Sequence, residues 1–160
     1  MTERSATPRT VTHGAFHIER TYPHPPERVY AAFAVAEAKA AWFAGGEGYT
    51  TVERAMDFRE GGRERVVGKW DTGMISQFDA VYFDIVPNQR IVYAYEMHLG
   101  GTKISVSLTT IEIKPAAGGA RLLFSESGAF LDGYDDAGSR EEGSNKLLDQ
   151  IGEYLARSGA

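Results

Sequence analysis

Two adjacent glycines, Gly61 and Gly62, join two runs of residues that alternate between apolar and polar character. The first run spans residues 51–58 and the second spans 63–70, so the chain must reverse direction between them. Glycine adopts the positive φ angles of tight turns without steric cost, whereas residues with a Cβ resist them. The segment therefore predicts a β-hairpin in which both glycines take positive φ.

Further runs with a period of two follow this hairpin. They predict strands over 75–86, 90–98, 102–113 and 121–130, with turns at 87–88, 100–101 and 115–119, and an earlier run predicts a first strand over 15–22. Strands joined by short turns form antiparallel sheets, commonly with one face against the core and one in solvent. The chain therefore predicts a single antiparallel sheet of six to seven strands.

Helical patterns flank this sheet on either side in the sequence. Two short helices are predicted over 27–33 and 36–43, and a long one follows a capping box at 139–142. The long helix carries a broad apolar stripe at Leu147, Leu148, Ile151, Tyr154 and Leu155. This order predicts an α+β helix-grip fold, in which a curved sheet wraps around the C-terminal helix. Residues 1–13 are predicted to be a flexible N-terminal tail, and residues 14–160 a single domain.

The composition excludes several classes of protein. Hydrophobic residues make up 42% and charged residues 24% of the 160 residues, as in globular domains. No apolar run approaches the ~20 residues that span a bilayer, no secretory signal opens the chain, and there is no cysteine. A net charge of −5 argues against nucleic acid as a partner. We expect a cytoplasmic protein without membrane or nucleic-acid partners.

A strongly bent sheet and one helix seldom fill the space between them, which predicts a ligand cavity. Alternation leaves strand 75–86 undecided, since Phe78 and Tyr82 compete with Val81, Phe83 and Ile85 for the inward face. On the other strands it assigns inward Val52, Met56, Phe58, Val66, Trp70, Tyr93, Tyr95, Met97, Ile104, Val106, Leu108, Leu122, Phe124 and Glu126.

Rings and long apolar side chains are concentrated on the predicted inner surface. For each of them a role in the core is the simpler interpretation, but together they suit a pocket for an apolar or aromatic ligand. The predicted ligand-binding residues are Trp42, Phe43, Met56, Phe58, Trp70, Tyr93, Tyr95, Met97, Phe124, Glu126, Phe130, Leu147 and Ile151.

Four motifs in order give the chain a resemblance to a known superfamily. They are YPHPPERVYAAF at 22–33, the Trp42–Phe43 pair, DFREGG at 57–62 and FDIVPNQRIVY at 83–93. The chain resembles the START-like (SRPBCC) superfamily, and within it the bacterial homologues of the activator of heat shock protein 90 ATPase. The resemblance implies a helix-grip fold over residues 15–157. One departure is Gly143–Ser144, where family members often have Gly-Trp, so a ring at the cavity mouth is missing.

Polar residues on the inner face are the candidates for chemistry, since burying them costs free energy unless they are paired. Glu126 is the best candidate for an acid–base group but a weak one, since a structural hydrogen-bonding role is the simpler interpretation. Tyr93 and Tyr95 could polarise a ligand carbonyl, although buried tyrosines commonly only satisfy their hydroxyls. Arg54 either reaches solvent, pairs with Glu126 or meets a ligand carboxylate. The histidines lack the spacing of metal ligands, so neither a metal nor a cofactor is expected.

Three functions fit these patterns. The first is binding of a small apolar or aromatic ligand, lipid-like or polyketide-like, without assured catalysis. The second is a cyclase-like or hydrolase-like enzyme that uses Glu126 and tyrosines in the same cavity. The third is an ATPase-activating co-chaperone-like module in a stress response, as the resemblance implies. A homodimer through an edge strand or the outer sheet face is also left open.

Overall fold

The computed structural model describes residues 8–158, which form one seven-stranded antiparallel sheet and three helices. The strands lie in the order β1-β7-β6-β5-β4-β3-β2. The helix-grip fold predicted from the sequence is confirmed. The elements are β1 Val11–Tyr22, α1 Pro26–Ala34, α2 Ala36–Trp42, β2 Tyr49–Met56, β3 Arg63–Trp70, β4 Ile75–Val86, β5 Arg90–Leu99, β6 Thr102–Ala116, β7 Gly119–Leu131 and α3 Ala137–Arg157.

Helix α3 packs its apolar stripe onto the concave face of the sheet. Leu148, Ile151 and Leu155 are fully buried there. The hydroxyl of Tyr22, at the end of β1, donates a hydrogen bond of 2.7 Å to the Leu148 carbonyl. A Cβ on Gly152 would lie 3.3 Å from the Tyr22 ring, so the glycine permits this close approach of helix and sheet. Within residues 8–158, no helix is both long and apolar enough to cross a membrane.

Both ends of the domain differ from the sequence-based prediction. Strand β1 begins at Val11 because its first residues pair with the end of β7, so 11–13 are strand rather than tail. Residues 1–7 of the predicted tail lie outside the described residues. Helix α3 begins at Ala137, and its N-cap is Asp136, whose side chain accepts from the Ser139 amide. The cap thus lies three residues before the predicted Ser139.

The two glycines of the diglycine turn meet different structural requirements. Gly61 has φ +83°, as expected, but Gly62 does not take positive φ. A Cβ on Gly62 would lie 2.0 Å from the backbone oxygen of Asp57, so this position needs glycine for space rather than for its dihedral. The loop also continues the sheet, because the Gly61 amide donates to the Tyr82 carbonyl and the Tyr82 amide to the Gly62 carbonyl.

A bulge in β6 reverses the predicted facing of that strand. The register with β5 shifts between Met97, which pairs with Ser105, and His98, which pairs with Lys103. Ile104 is the extra residue, and beyond it the alternation changes sign. Val106 and Leu108 are therefore exposed on the outer face, and the buried inner positions are taken by Ser105, Ser107, Thr109, Ile111 and Ile113.

Two other facing assignments are settled by the strand pairings. On β4, Phe78 and Tyr82 are buried and Phe83 is exposed, as regular alternation requires. The register with β5 skips Phe83, and beyond it Ile85 packs against the core. On β2, the pairing with β3 skips Val52, which is exposed rather than inward. The two competing apolar sets on 75–86 reflect the residue skipped on β4, whereas the sequence of β2 gave no sign of its skipped residue.

Candidate functional site

A cavity of about 630 Å³ lies between the concave face of the sheet and helices α2 and α3. Its floor is formed by inward side chains of β3 to β7, and its roof by α2, the segment that follows it, and the first half of α3. Volumes between about 300 and 1,000 Å³ are typical of small-molecule sites. The volume of this space lies within that range.

Most of the residues proposed from the sequence line this cavity, namely Trp42, Phe43, Trp70, Tyr93, Tyr95, Met97, Phe124, Glu126 and Leu147. Four others lie elsewhere. Phe58 follows β2 and packs edge-on against Tyr82, with ring centroids 4.9 Å apart, and Met56 is half-buried at the same end of the sheet. Phe130 and Ile151 are buried core residues that do not reach the cavity.

The aromatic residues of the cavity form a continuous cluster. Phe43 meets Phe78 edge-on with centroids 5.0 Å apart, and Phe78 lies 4.8 Å from Tyr95. Trp42 packs against Phe43 at 5.5 Å, and the Tyr93 and Tyr95 rings are 6.1 Å apart. Aromatic pairs at these distances stabilise one another beyond the area they bury. The apolar wall of the cavity is therefore a set of rings in mutual contact.

A buried ion pair connects the roof to the floor at one side of the cavity. Lys39 of α2 and Glu64 of β3 are 3% and 2% exposed, and Lys39 Nζ lies 2.7 Å from Glu64 Oε1. The hydroxyl of Tyr82 donates to the same Oε1 atom. Burial, and next the Glu64 carboxylate, raise the pKa of Tyr82 far above its usual value, so this hydroxyl keeps its proton.

Lys39 and Glu64 were not predicted as site residues, although their spacing in the sequence indicates that both face inward. Glu64 lies between the outward Arg63 and Arg65, so alternation places it on the inner face with Val66. Lys39 precedes Trp42 by three residues on a helix, so the two share a face. Charged residues at such positions are usually assigned to solvent, and only the distance between α2 and β3 shows that these two meet.

A second polar network lies at the opposite side of the cavity around Glu126. Tyr95 donates to Glu126 Oε2 at 2.7 Å, and Thr109 donates to Oε1 at 2.9 Å. The guanidinium of Arg140, from α3, lies 3.7 Å from Oε2. Burial raises the pKa of Glu126, although these hydrogen bonds and Arg140 act in the other direction. Both carboxylate oxygens are thus occupied by protein donors.

Arg140 holds the segment before α3 against the cavity. Its guanidinium donates to the Tyr95 hydroxyl at 2.8 Å, to Ser105 Oγ at 2.9 Å and to Asp135 Oδ2 at 2.8 Å. Arg54 does not take part in this network, because it donates to the Phe43 carbonyl at the end of α2. The partner of Glu126 is therefore Arg140, a residue that the sequence analysis left out.

The Gly143–Ser144 pair lies on the cavity side of α3. Both residues line the cavity, and Ser144 is buried. A Cβ built on Gly143 would meet nothing within 4 Å. Position 143, which corresponds to the glycine of the family's Gly-Trp pair, therefore has open space beside it. Position 144, where a tryptophan is frequent in the superfamily that the sequence resembles, holds the buried Ser144 side chain at the cavity wall. Among residues 8–158 there is also no group of three or more His, Cys, Asp or Glu side chains that could hold a metal ion.

A curved sheet gripping a long helix over a ring-lined cavity defines a protein of the START-like class. Within that class, residues 23–156 match the family described as "Activator of Hsp90 ATPase homolog 1-like protein". The chain belongs to this family, as the four sequence motifs indicated.

Solved structures similar to this chain come from several bacteria. A putative uncharacterized protein from Rhizobium leguminosarum is 43% identical, with a TM-score of 0.90 over 94% of this chain and 99% of that one. A protein from Rhizobium loti is 44% identical, with a TM-score of 0.84 over 91% of this chain and 99% of that one. An AHSA1-like protein from Aeromonas hydrophila is 16% identical, with a TM-score of 0.70 over 91% of this chain and 94% of that one. This similarity shows the shared fold alone. No curated protein matches the chain.

Proposed function

We propose that this chain binds a small apolar or aromatic molecule in the cavity between its sheet and α3. The observation that carries the proposal is the cavity itself, about 630 Å³ in volume and walled by aromatic side chains in mutual contact. Burying an apolar molecule there removes its surface from water, which contributes roughly 25 cal/mol per Å² before the costs of association. Rings such as Tyr93 and Phe78 provide flat surfaces for a lipid-like or polyketide-like ligand.

The contacts of Glu126 favour binding over catalysis. An acid–base group must reach the proton that it moves, either directly or through one water. Glu126 already accepts from Tyr95 and Thr109, and Arg140 lies against it, so its position supports a structural role that joins α3 to the sheet. We therefore propose that Tyr93, Tyr95 and Glu126 shape the cavity rather than act on its contents.

A thermal-shift screen tests this proposal. A ligand that binds only the native state raises the melting temperature by mass action, so lipids, flavonoids and aromatic polyketides should include compounds that stabilise the wild-type protein. The Ser144→Trp variant should lose this response, because an indole at that position occupies the cavity. Glu153→Trp is the matched control, since Glu153 lies on the exposed side of α3 and outside the cavity lining. A broad library without any stabilising compound would contradict the proposal.

Interaction with a chaperone of the heat shock protein 90 class is a second candidate. The family description suggests it, and the exposed Val106 and Leu108 on the outer sheet face give it a contact surface distinct from the cavity. A pull-down with the chaperone should then be lost in a Val106→Ser/Leu108→Ser variant whose ligand response is unchanged. No retention of the wild-type chain by the chaperone would exclude this candidate.

A homodimer through an edge strand or the outer sheet face stays a prediction, which analytical ultracentrifugation can test.

A further inference from the structure

We infer that Lys39 anchors a carbonyl oxygen on an electrically neutral, ring-bearing ligand, an inference that rests on the proposed function and specifies its ligand. The lysine is only 3% exposed, yet it lines the cavity. A buried ammonium at the wall of an apolar space is the group there that most requires a polar partner. Its position therefore determines which chemistry the ligand carries at that end of the cavity.

The hydrogen-bond capacity of Lys39 is only partly used. An ammonium group has three N–H donors, and within residues 8–158 its one hydrogen-bond acceptor is Glu64 Oε1, at 2.7 Å. The rest of its surroundings are rings: Nζ lies 4.7 Å from the Phe43 centroid, 5.7 Å from Tyr93 and 5.9 Å from Phe78. Ring faces attract the positive charge, but they do not replace conventional acceptors for its hydrogens.

The other polar groups of the cavity are more fully engaged. Glu126 accepts two hydrogen bonds from protein donors, and Arg140 donates to Tyr95, Ser105 and Asp135. A ligand oxygen at either place would have to displace an existing contact. At Lys39 it would fill donor positions that no described residue occupies, among rings able to pack against the atoms next to it.

Charge balance decides between a neutral ligand and an anionic one. The Lys39 charge is already compensated by Glu64, and Glu64 Oε2 is buried without a hydrogen-bond partner in the described part of the chain. A ligand carboxylate on Nζ would place a second carboxylate around one ammonium in a desolvated site, which like-charge repulsion disfavours. A ketone, ester or quinone oxygen accepts the same hydrogen bond without adding charge.

Three probes of matched shape test this inference by titration calorimetry: 2-acetylnaphthalene, 2-ethylnaphthalene and 2-naphthoate. The ketone should bind the wild-type protein about tenfold more tightly than the ethyl compound. A hydrogen bond from a charged donor contributes a free energy that corresponds to a difference of about this size in Kd. The naphthoate should bind more weakly than the ketone. In addition, the infrared carbonyl stretch of the ketone should move to lower frequency on binding, as hydrogen bonding weakens the C=O bond.

The test variant is Lys39→Met/Glu64→Gln, which removes both charges together and leaves neither one buried alone. In it, the preference for the ketone and the infrared shift should disappear, whereas 2-ethylnaphthalene should still bind. The control is Lys69→Met, since Lys69 is exposed on β3 and outside the cavity lining, and this variant should keep the wild-type preference. Should the double variant not fold, the infrared spectrum of the wild-type complex decides alone.

Results that contradict the inference distinguish between the role of Lys39, the neutral character of the ligand and the function of the cavity. Equal binding of the ketone and the ethyl compound to the wild-type protein, or an unshifted carbonyl stretch, would overturn the role of Lys39 and leave cavity binding standing. Tightest binding of 2-naphthoate would overturn the neutral character of the ligand. Failure of all three probes to bind would count against both the anchor and the proposed cavity function for ring ligands of this size.

Discussion

Lys39 Nζ lies 2.7 Å from Glu64 Oε1, and the two side chains are only 4% and 1% exposed. The pair joins α2 to β3 across one wall of the cavity, and the hydroxyl of Tyr82 completes it from β4. Taking two charges out of water is costly, and only close pairing offsets that cost. The contact therefore fixes the position of α2 over the sheet, and with it the height of the cavity.

The first prediction concerns removal of one member of this pair. Lys39→Met should lower the free energy of unfolding by about 3–5 kcal/mol, because it leaves the Glu64 carboxylate buried without its cation. Lys39→Met/Glu64→Gln should recover most of that loss, since the Tyr82 hydroxyl can still donate to the amide oxygen of the new side chain. Urea unfolding of the three proteins checks this. A double variant no more stable than Lys39→Met would contradict the coupling.

The second prediction concerns the pH dependence that Glu126 gives to stability. Because burial raises its pKa in the folded state above the ordinary 4.5, the native protein holds this proton more tightly than the unfolded chain. Its contribution to stability is thus fully present below pH 4.5 and is lost as the pH rises through the folded-state pKa. Urea unfolding at a series of pH values checks this. The free energy of unfolding of the wild-type protein minus that of Glu126→Gln should fall as the pH rises from 4.5 through the folded-state pKa of Glu126.

Comparison with a second variant isolates the effect of this carboxyl group. Glu153→Gln, at an exposed position on the same helix, should track the wild-type protein at every pH, because that side chain lies in solvent. A wild-type advantage over Glu126→Gln that grows as the pH rises would mean that Arg140, Tyr95 and Thr109 outweigh burial. The inferred direction of the pKa shift would then be wrong.

The third prediction contrasts two glycines that differ in the space around them. Gly62→Ala should destabilise the protein by about 2 kcal/mol or more, since its Cβ would lie 2.0 Å from the Asp57 oxygen. Gly143→Ala should stabilise it by about 0.5–1 kcal/mol, because the helix gains propensity and the new methyl enters open space. Guanidinium unfolding measures both. Equal effects at the two positions would contradict the packing described here.

The fold could be predicted from the sequence because its signals are local and repeated. Alternation located every strand, and the apolar stripe of α3 identified the helix that the sheet grips. The facing of β6 could not be predicted in the same way. One extra residue, Ile104, reverses the inward set without changing the sequence pattern, so that Val106 was assigned to the interior and Ser105 to solvent.

The candidate site could be predicted for most of its rings and for Glu126, but not for the polar contacts between its elements. Trp42, Tyr93 and Tyr95 were predicted as cavity residues because they are rings assigned to the inner surface, although Phe58 and Phe130, predicted on the same ground, lie outside the cavity. The polar contacts depend on distances between elements far apart in sequence, such as Lys39 with Glu64 and Arg140 with Glu126. No periodicity contains that information, and it emerges only when α2 and α3 are placed over the sheet.

Native mass spectrometry of freshly purified protein tests the central claim most directly, because it weighs the chain together with whatever the cavity holds. The wild-type protein should carry a small molecule that is lost on denaturation, whereas Ser144→Trp should arrive with the mass of the chain alone. Glu153→Trp should retain the molecule. A wild-type protein that never carries or takes up such a molecule, even when lipids and aromatic polyketides are added before the measurement, would contradict the claim that this cavity is a binding site.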